Sequence, residues 1–200
     1  MPLINVENQK FPPWSEVDFI EIIRFETGES RKINKKSKKE IFFIGSGKIQ
    51  FYFNNVMVIL EYGEHVDFPD ESITIEIKNL TNQATLVRIG GCWGEEVGDS
   101  GVFRLERSST PNNIGDAVNY QRNTYFDNHY HDCDEYWIIL QGSGEAVTEG
   151  ERFYVRAGDC IVTRKGAHHD FPIVKETIHG VYFETTLKGK KRKGHLWDNV

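Results

Sequence analysis

Apolar and polar residues alternate in many short runs along this chain, and glycine, asparagine or aspartate separates one run from the next. The runs are rich in valine, isoleucine, phenylalanine, tyrosine and threonine, which favour β-strands. The clearest are EIFFIGSG, KIQFYF, VMVILEYG, SITIEIKN, ATLVRIGG, EYWIILQG, ERFYVRAG, DCIVTRKG and IHGVYFETTL. Only Glu16–Glu26 fits a helix as well as a strand. Many short strands at regular spacing predict an all-β fold of the sandwich or barrel kind.

A faint internal repeat relates the two halves of the chain. The stretch GSGKIQF, which begins at Gly45, resembles GSGEAVT, which begins at Gly142, 97 residues later. The stretch EYGEHVDFP resembles RAGDCIVTR, and their glycines, Gly63 and Gly158, are 95 residues apart. Two similar offsets predict two related β units.

The repeat suggests where each unit ends. We predict an N-terminal β unit over 1–95 and a C-terminal core over 124–200. The stretch between them, 96–123, is rich in glycine, serine, asparagine and aspartate, and we interpret it as a connecting segment. Connections of this length are often functional or mobile.

Composition narrows the classes of protein. With 38% hydrophobic and 27% charged residues among 200, the chain is typical of a globular protein. No apolar run approaches the roughly 18–20 residues that span a bilayer, and we see no secretory signal. We therefore expect no membrane partner. The three cysteines, Cys92, Cys133 and Cys160, form no C-x-x-C pair, so we expect free thiols and a cytoplasmic location.

The charge pattern bears on nucleic acid. A net charge of −6 argues against a broad electrostatic grip on it, so we expect no nucleic-acid partner. Two basic segments, 31–39 and 188–193, are the exceptions. We favour solvated segments, and contacts with phosphates or a partner protein are the alternative.

The stretch FDNHYHDCDEYWIILQGSG carries the candidate chemistry. In a strand, residues two apart share a face, so His129 and His131 project together and can hold one cation. Glu135 follows with the same parity. A further ligand is expected from a neighbouring strand, where His168 and His169 are the candidates. Cys133 is an alternative soft ligand.

Two motifs in this region resemble those of the cupin superfamily. They are His129-x-His131-x3-Glu135-x6-Gly142 and Gly158-x5-Arg164-x-Gly166-x2-His169. The resemblance implies two tandem jelly-roll barrels and one divalent metal ion bound by His129, His131, Glu135 and His169. His168 falls one residue out of register. The sequence departs from the family pattern at Asn123, Arg164 and Ile173, positions that shape turns.

Three imidazoles and one carboxylate suit iron, manganese, nickel, cobalt, copper or zinc. We expect Asp132, Asp134 or Asp170 to orient the ligands. In the first half, the 97-residue offset maps the first three ligand positions to Lys32, Asn34 and Lys38. The 95-residue offset maps the fourth to Thr74. None of these suits such a metal, so the N-terminal unit is predicted to be a degenerate cupin.

The function follows from the resemblance only in outline. Arg122, Tyr125 and Glu184 are the candidate catalytic residues, and the arginine points to a polar, oxygen-rich small molecule. The resemblance to cupin isomerases implies sugar or sugar-acid isomerisation or epimerisation. An iron or nickel dioxygenase and a non-catalytic metabolite-binding protein are the alternatives. Cupins often pair through sheet edges, so a homodimer is also consistent with the sequence.

Overall fold

The protein is almost entirely β-structure. The computed structural model describes residues 3–68, 74–111 and 115–192. In chain order the strands are β1 (Leu3–Asn5), β2 (Val17–Phe25), β3 (Ser30–Asn34), β4 (Lys39–Ser46), β5 (Lys48–Phe53), β6 (Val56–Glu61), β7 (His65–Phe68), β8 (Thr74–Asn79), β9 (Ala84–Gly91), β10 (Ser100–Leu105), β11 (Glu135–Thr148), β12 (Glu151–Arg156), β13 (Asp159–Thr163) and β14 (His169–Glu184). The predicted all-β class is confirmed, and Glu16–Glu26 forms a strand.

Helical structure is minimal in the part of the chain that the structure describes. A single turn of 3-10 helix covers Val6–Asn8, and Asn5 caps it by accepting a hydrogen bond from the backbone N–H of Glu7. None of the described helices is long and apolar enough to cross a membrane.

The chain divides into two compact units with boundaries that differ from the predicted ones. One unit is 17–92, and the other combines the described residues of 1–16 and 93–200. The first residues join the C-terminal unit because β1 pairs with β13. The predicted connecting segment 96–123 is only partly a connection, because β10 lies inside it and pairs with β14.

The unit 17–92 consists of two four-stranded antiparallel sheets, with strand orders β2-β9-β4-β7 and β3-β8-β5-β6. The alternation that predicts its strands also builds its core. In β8, for example, Ile75 and Ile77 are buried and the residues between them are exposed. They pack with Phe25, Phe42, Ile44, Ile49, Phe51, Phe68, Ala84 and Leu86.

The other unit contains a six-stranded sheet ordered β1-β13-β11-β14-β10, with β12 paired to β11. Its two long strands, β11 and β14, pair with four shifts of register, which bend the sheet. The hydrogen-bonded order of the described strands does not close into a ring. The pairing therefore does not form a closed barrel, which differs from the predicted barrel. Its core is Trp137, Ile139, Ala146, Val155, Ile161, Phe171, Val174 and Ile178.

The strand registers of the two units repeat at an offset of 95 residues. Glu40 lies opposite Phe68, and Glu135 lies opposite Thr163. The same offset relates the pairs Asn34–Thr74 to His129–His169, Lys48–Glu61 to Ser143–Arg156, and Ile49–Asn79 to Gly144–Val174. The two units therefore share one pattern of strand pairing.

The glycine positions correct the predicted offset of 97. Gly47 and Gly142 both have positive φ, 77° and 85°, a conformation that glycine adopts without steric cost. Gly45 is not among the residues with positive φ. The structural counterpart of Gly142 is therefore Gly47. The sequence comparison is wrong by two residues because the repeated GSG stretch contains glycines two positions apart.

Candidate metal centre

Backbone pairing brings together His129 and His169, which are 40 positions apart in the sequence. The N–H of His129 donates to the carbonyl of His169 at 3.1 Å, and the N–H of His169 donates back at 2.9 Å. This isolated bridge fixes the start of β14 beside the segment that precedes β11. Glu135 is the first residue of β11. His129 and His131 therefore lie in an irregular segment, not in a continuous strand as the parity argument assumed.

The four predicted ligand residues converge. One nitrogen or oxygen atom from each of His129, His131, Glu135 and His169 lies within 4.8 Å of the others, and all four residues are buried. Nε2 of His129 is 2.9 Å from Nε2 of His131, which is 3.3 Å from Oε2 of Glu135. That oxygen is 2.7 Å from Nε2 of His169. Adjacent ligands of an octahedral ion are about 3 Å apart when each bond is roughly 2.1 Å.

Two of the rings are held in the tautomer that metal binding requires. Nδ1 of His129 donates to the carbonyl of Asp127 at 2.9 Å, and Nδ1 of His169 donates to the carbonyl of Ala167 at 3.1 Å. A carbonyl only accepts, so the proton of each neutral ring is on Nδ1. Nε2 of each ring therefore directs a lone pair into the cluster.

A lone pair on Nε2 of His169 faces Oε2 of Glu135, and neither buried atom has a hydrogen-bond partner among the described residues. Burial lowers the pKa of His169 to about 4, so the ring is neutral near pH 7. Two acceptors at 2.7 Å repel each other unless a proton or a metal ion lies between them. The donor set therefore fits a bound metal ion.

Glu135 and His131 shift each other's pKa toward the charged form. Burial alone would raise the pKa of Glu135, but His169 and His131 outweigh it and hold the pKa well below its usual range. Burial alone would lower the pKa of His131, but the carboxylates of Glu135 and Glu184 outweigh it and raise the pKa. Glu135 is therefore ionised, as a metal ligand must be, and protonation of His131 is favoured by the neighbouring carboxylates.

Glu184 lies directly beside this cluster. Its Oε1 is 3.6 Å from Nδ1 of His131, and its Oε2 accepts the backbone N–H of Asp99 at 2.9 Å. Cys133, the alternative ligand, has its Sγ 3.3 Å from the same Oε2. Burial raises the pKa of Cys133, which keeps the thiol protonated and makes it a donor to Glu184. Burial and the neighbouring Glu135 carboxylate raise the pKa of Glu184 itself.

A cavity of about 150 Å³ opens onto the cluster. Its wall includes Phe103 and Leu105 from β10 and Trp137 from β11. The remaining lining residues are Asp99, Phe126, His129, His131, Glu135, Phe171, Tyr182 and Glu184. Of the three candidate catalytic residues, only Glu184 lines this cavity.

Arg122 and Tyr125 lie elsewhere. Arg122 donates to the carboxylate of Asp170 at 2.5 Å and also to the carbonyl of Phe126. This ion pair occupies the guanidinium, and Arg122 is not among the residues that line the cavity. Tyr125 is 61% exposed, and its hydroxyl bonds with Thr110 at 2.9 Å. The structure does not bring either residue to the metal cluster.

Asp127 orients His129, and it is not among the residues predicted for this role. Asp127 supplies the carbonyl that orients His129, and its Oδ1 is 3.3 Å from Nδ1 of the same ring. Its position two residues before a candidate ligand was the available signal. The three aspartates predicted for this role bond elsewhere: Asp132 to Arg192, Asp134 to Lys165, and Asp170 to Tyr120 and Arg122. His168, half-exposed, bonds to Asp116.

The unit 17–92 has a different set at the equivalent positions. The 95-residue register places Asn34, Lys36, Glu40 and Thr74 there, so the predicted counterparts Lys32 and Lys38 are wrong by two residues. Asn34 was predicted, but it matches His129, not His131. Glu40 is buried and accepts hydrogen bonds from the guanidinium of Arg88, whose Nη2 also donates to the carbonyl of Asn34. Glu40 thus has a cationic partner from the protein itself.

Known proteins resemble both the sequence and the fold. A family model described as the cupin domain matches residues 117–182. The uncharacterized protein y4oW of Sinorhizobium fredii (strain NBRC 101917 / NGR234) is 36% identical over 189 residues, which cover 94% of this chain and 87% of that protein.

Solved structures extend the similarity beyond the matched domain. AerE from Microcystis aeruginosa has a TM-score of 0.61 at 10% identity, covering 83% of this chain and 86% of that one. A Lactobacillus farciminis oxalate decarboxylase in complex with formate has a TM-score of 0.59 at 11% identity, covering 86% and 78%. At such identities the likeness shows the fold alone. The 36% identical relative shows that this chain belongs to the same family as y4oW, and residues 117–182 of the chain match the cupin domain.

Proposed function

We propose that this protein is a metal-dependent enzyme in which His129, His131, Glu135 and His169 hold one divalent transition-metal ion. The observation that carries the proposal is the approach of Nε2 of His169 to Oε2 of Glu135, two buried atoms 2.7 Å apart within the four-residue cluster. A bound ion of this kind supplies Lewis acidity that polarises a substrate oxygen.

Glu184 is the proposed proton-transfer group. Its carboxylate lines the cavity next to His131. It accepts hydrogen bonds from the backbone N–H of Asp99 and from the thiol of Cys133, which fix its position. A carboxyl whose pKa is raised by burial is suited to take up and return a proton. The apolar side chains that line the same cavity limit the access of water to that step.

The lining of the cavity, more than the family, indicates the class of reaction. A sugar would need several hydrogen-bonding partners, and the wall of this cavity is largely carbon. Sugar isomerisation is therefore not our proposal. Proton transfer on a substrate bound to the metal ion is our first choice. An oxygenase is the second candidate, favoured by the apolar wall, and turnover in oxygen-free buffer distinguishes the two.

We also propose that the chain is a tandem cupin whose first unit has no metal site. The shared strand registers support common ancestry of the units. The ion pair between Arg88 and Glu40 supports a structural role for the first unit.

Metal analysis tests the central proposal. We expect about one equivalent of a transition metal in protein purified without added metal, and its loss in His131→Ala with the fold retained by circular dichroism. His168→Ala is the matched control, because this neighbouring histidine bonds to Asp116 outside the cluster. Equal metal content in His131→Ala and the wild type would refute the assignment.

A further inference from the structure

The cavity beside the metal cluster is lined mainly by carbon. Its aromatic and aliphatic wall residues are Phe103, Leu105, Phe126, Trp137 and Phe171. The rings contact one another: Trp137 packs edge-on against Phe126 with centroids 5.0 Å apart, and lies 5.8 Å from Phe171. Such a wall binds ligands through apolar area and ring stacking.

No lysine or arginine is among the described residues that line the same cavity. Among the residues that the structure describes, its charged lining groups are Asp99, Glu135 and Glu184, all acidic. Arg122, the nearest candidate in the sequence, is only 6% exposed and is neutralised by Asp170. A free carboxylate or phosphate on a substrate would therefore meet carboxylates, with the metal ion as its single counter-charge.

The volume limits the size of the ligand. Apolar cavities of roughly 150 Å³ accept benzene, and this cavity has about that volume. Three of the clustered side chains, His129, His131 and Glu135, line the cavity together with the carboxylate of Glu184, and the apolar side chains supply most of the remaining lining.

From these three observations we infer that the substrate is a small uncharged molecule with a single-ring body and a hydroxyl or carbonyl oxygen that reaches the metal cluster. This inference rests on the proposed metal site for the role of the oxygen. It replaces the sequence-based expectation of a polar, oxygen-rich substrate, which depended on Arg122 and Arg164 as binding groups and on the Lewis acidity of the metal ion.

Calorimetric titration with matched probes tests the inference. Phenol and benzoate share one ring, but only benzoate is charged near neutral pH. We expect phenol to bind the metal-loaded protein at least about tenfold more tightly than benzoate or oxalate, with the negative heat-capacity change of apolar burial. Tighter binding of benzoate or oxalate, or no binding of phenol at millimolar concentration, would overturn the inference.

Variants of the wall separate the cavity from the metal. Leu105→Trp should weaken phenol binding about tenfold or more with unchanged metal content, since it fills the cavity. Leu105→Arg should shift the preference toward benzoate, and Met57→Ala, at a site 60% exposed in the other unit, is the control. If no preparation contains metal, the proposed function fails, while the phenol and benzoate titrations of the metal-free protein still decide this inference.

Discussion

The guanidinium of Arg88 lies 2.7 Å from Oε2 of Glu40, the residue that stands in the register position of the proposed ligand Glu135. Both side chains are almost fully buried. Two positions related by the repeat thus carry the same acidic residue with two kinds of cationic partner. In one unit the partner is an arginine, and in the other we propose a metal ion.

Breaking that ion pair should destabilise the unit 17–92. Arg88→Met leaves the Glu40 carboxylate buried without its cation, and we expect a loss of about 3–5 kcal/mol in the free energy of unfolding, measured with urea. The double variant Arg88→Met/Glu40→Leu should recover much of this loss, because no buried charge remains. A double variant less stable than Arg88→Met would contradict this account.

Metal affinity should fall with decreasing pH from the neutral range. The pKa of His131 is raised, so protons begin to displace the metal from this ring near or above its usual pKa of 6.5. His169, with its pKa near 4, remains available until much lower pH. We expect roughly a tenfold loss of affinity per pH unit below the pKa of His131, measured by competition with a chelator. Constant affinity between about pH 8 and about pH 5 would speak against protonation of His131.

Glu184→Gln should separate chemistry from metal binding. The amide keeps the shape of the side chain but cannot accept a proton, so we expect turnover of the substrate to fall by about 10²–10⁴-fold. Metal content should stay at the wild-type level, because Glu184 is outside the four-residue cluster. Unchanged turnover in this variant would remove Glu184 from the mechanism.

The three cysteines should differ sharply in reactivity. Cys92 is exposed, whereas Cys133 and Cys160 are buried and burial raises the pKa of both thiols. We expect iodoacetamide to add one label to the native protein, at Cys92, and labels at all three cysteines after unfolding, as read by mass spectrometry. Cys92→Ser should remain unlabelled in the native state. Rapid labelling at Cys133 would show that the reagent reaches its thiol in the native protein, against the burial of this residue.

Two glycines with similar backbone angles should respond differently to alanine. Gly150 has φ of 78° with open space around it, so Gly150→Ala costs only the left-handed conformation, about 1–2 kcal/mol. At Gly142 a Cβ would lie 2.1 Å from the carbonyl oxygen of Thr177. We expect Gly142→Ala to cost about 1–3 kcal/mol more, measured by thermal unfolding. Equal losses would mean that β14 can move away at this point.

Local pattern predicted the strands well because alternation and strand composition are properties of short segments. The run TIEIKN shows this, since its isoleucines are buried as the alternation requires. Local pattern left both His168 and His169 as partners of His129, the family resemblance favoured His169, and the structure places His129 and His169 together through a two-residue bridge.

Tertiary competition explains what the sequence did not predict. Arg122 is basic and near the histidines, but the buried carboxylate of Asp170 binds it. β10 was hidden in a stretch that reads as a loop, because its partner strand lies more than 70 positions later in the chain. The register of the repeat also depended on a backbone angle, at Gly47, that composition does not reveal.

The position of β10 at the end of its sheet has an evolutionary consequence. It pairs with β14 alone among the described strands, and it carries Phe103 and Leu105 but none of the four clustered ligands. Selection can therefore remodel this outer strand to accommodate new compounds without replacing any of the four clustered side chains. Homologues that act on different compounds but keep the same four clustered residues are expected to differ first in the stretch Ser100–Leu105.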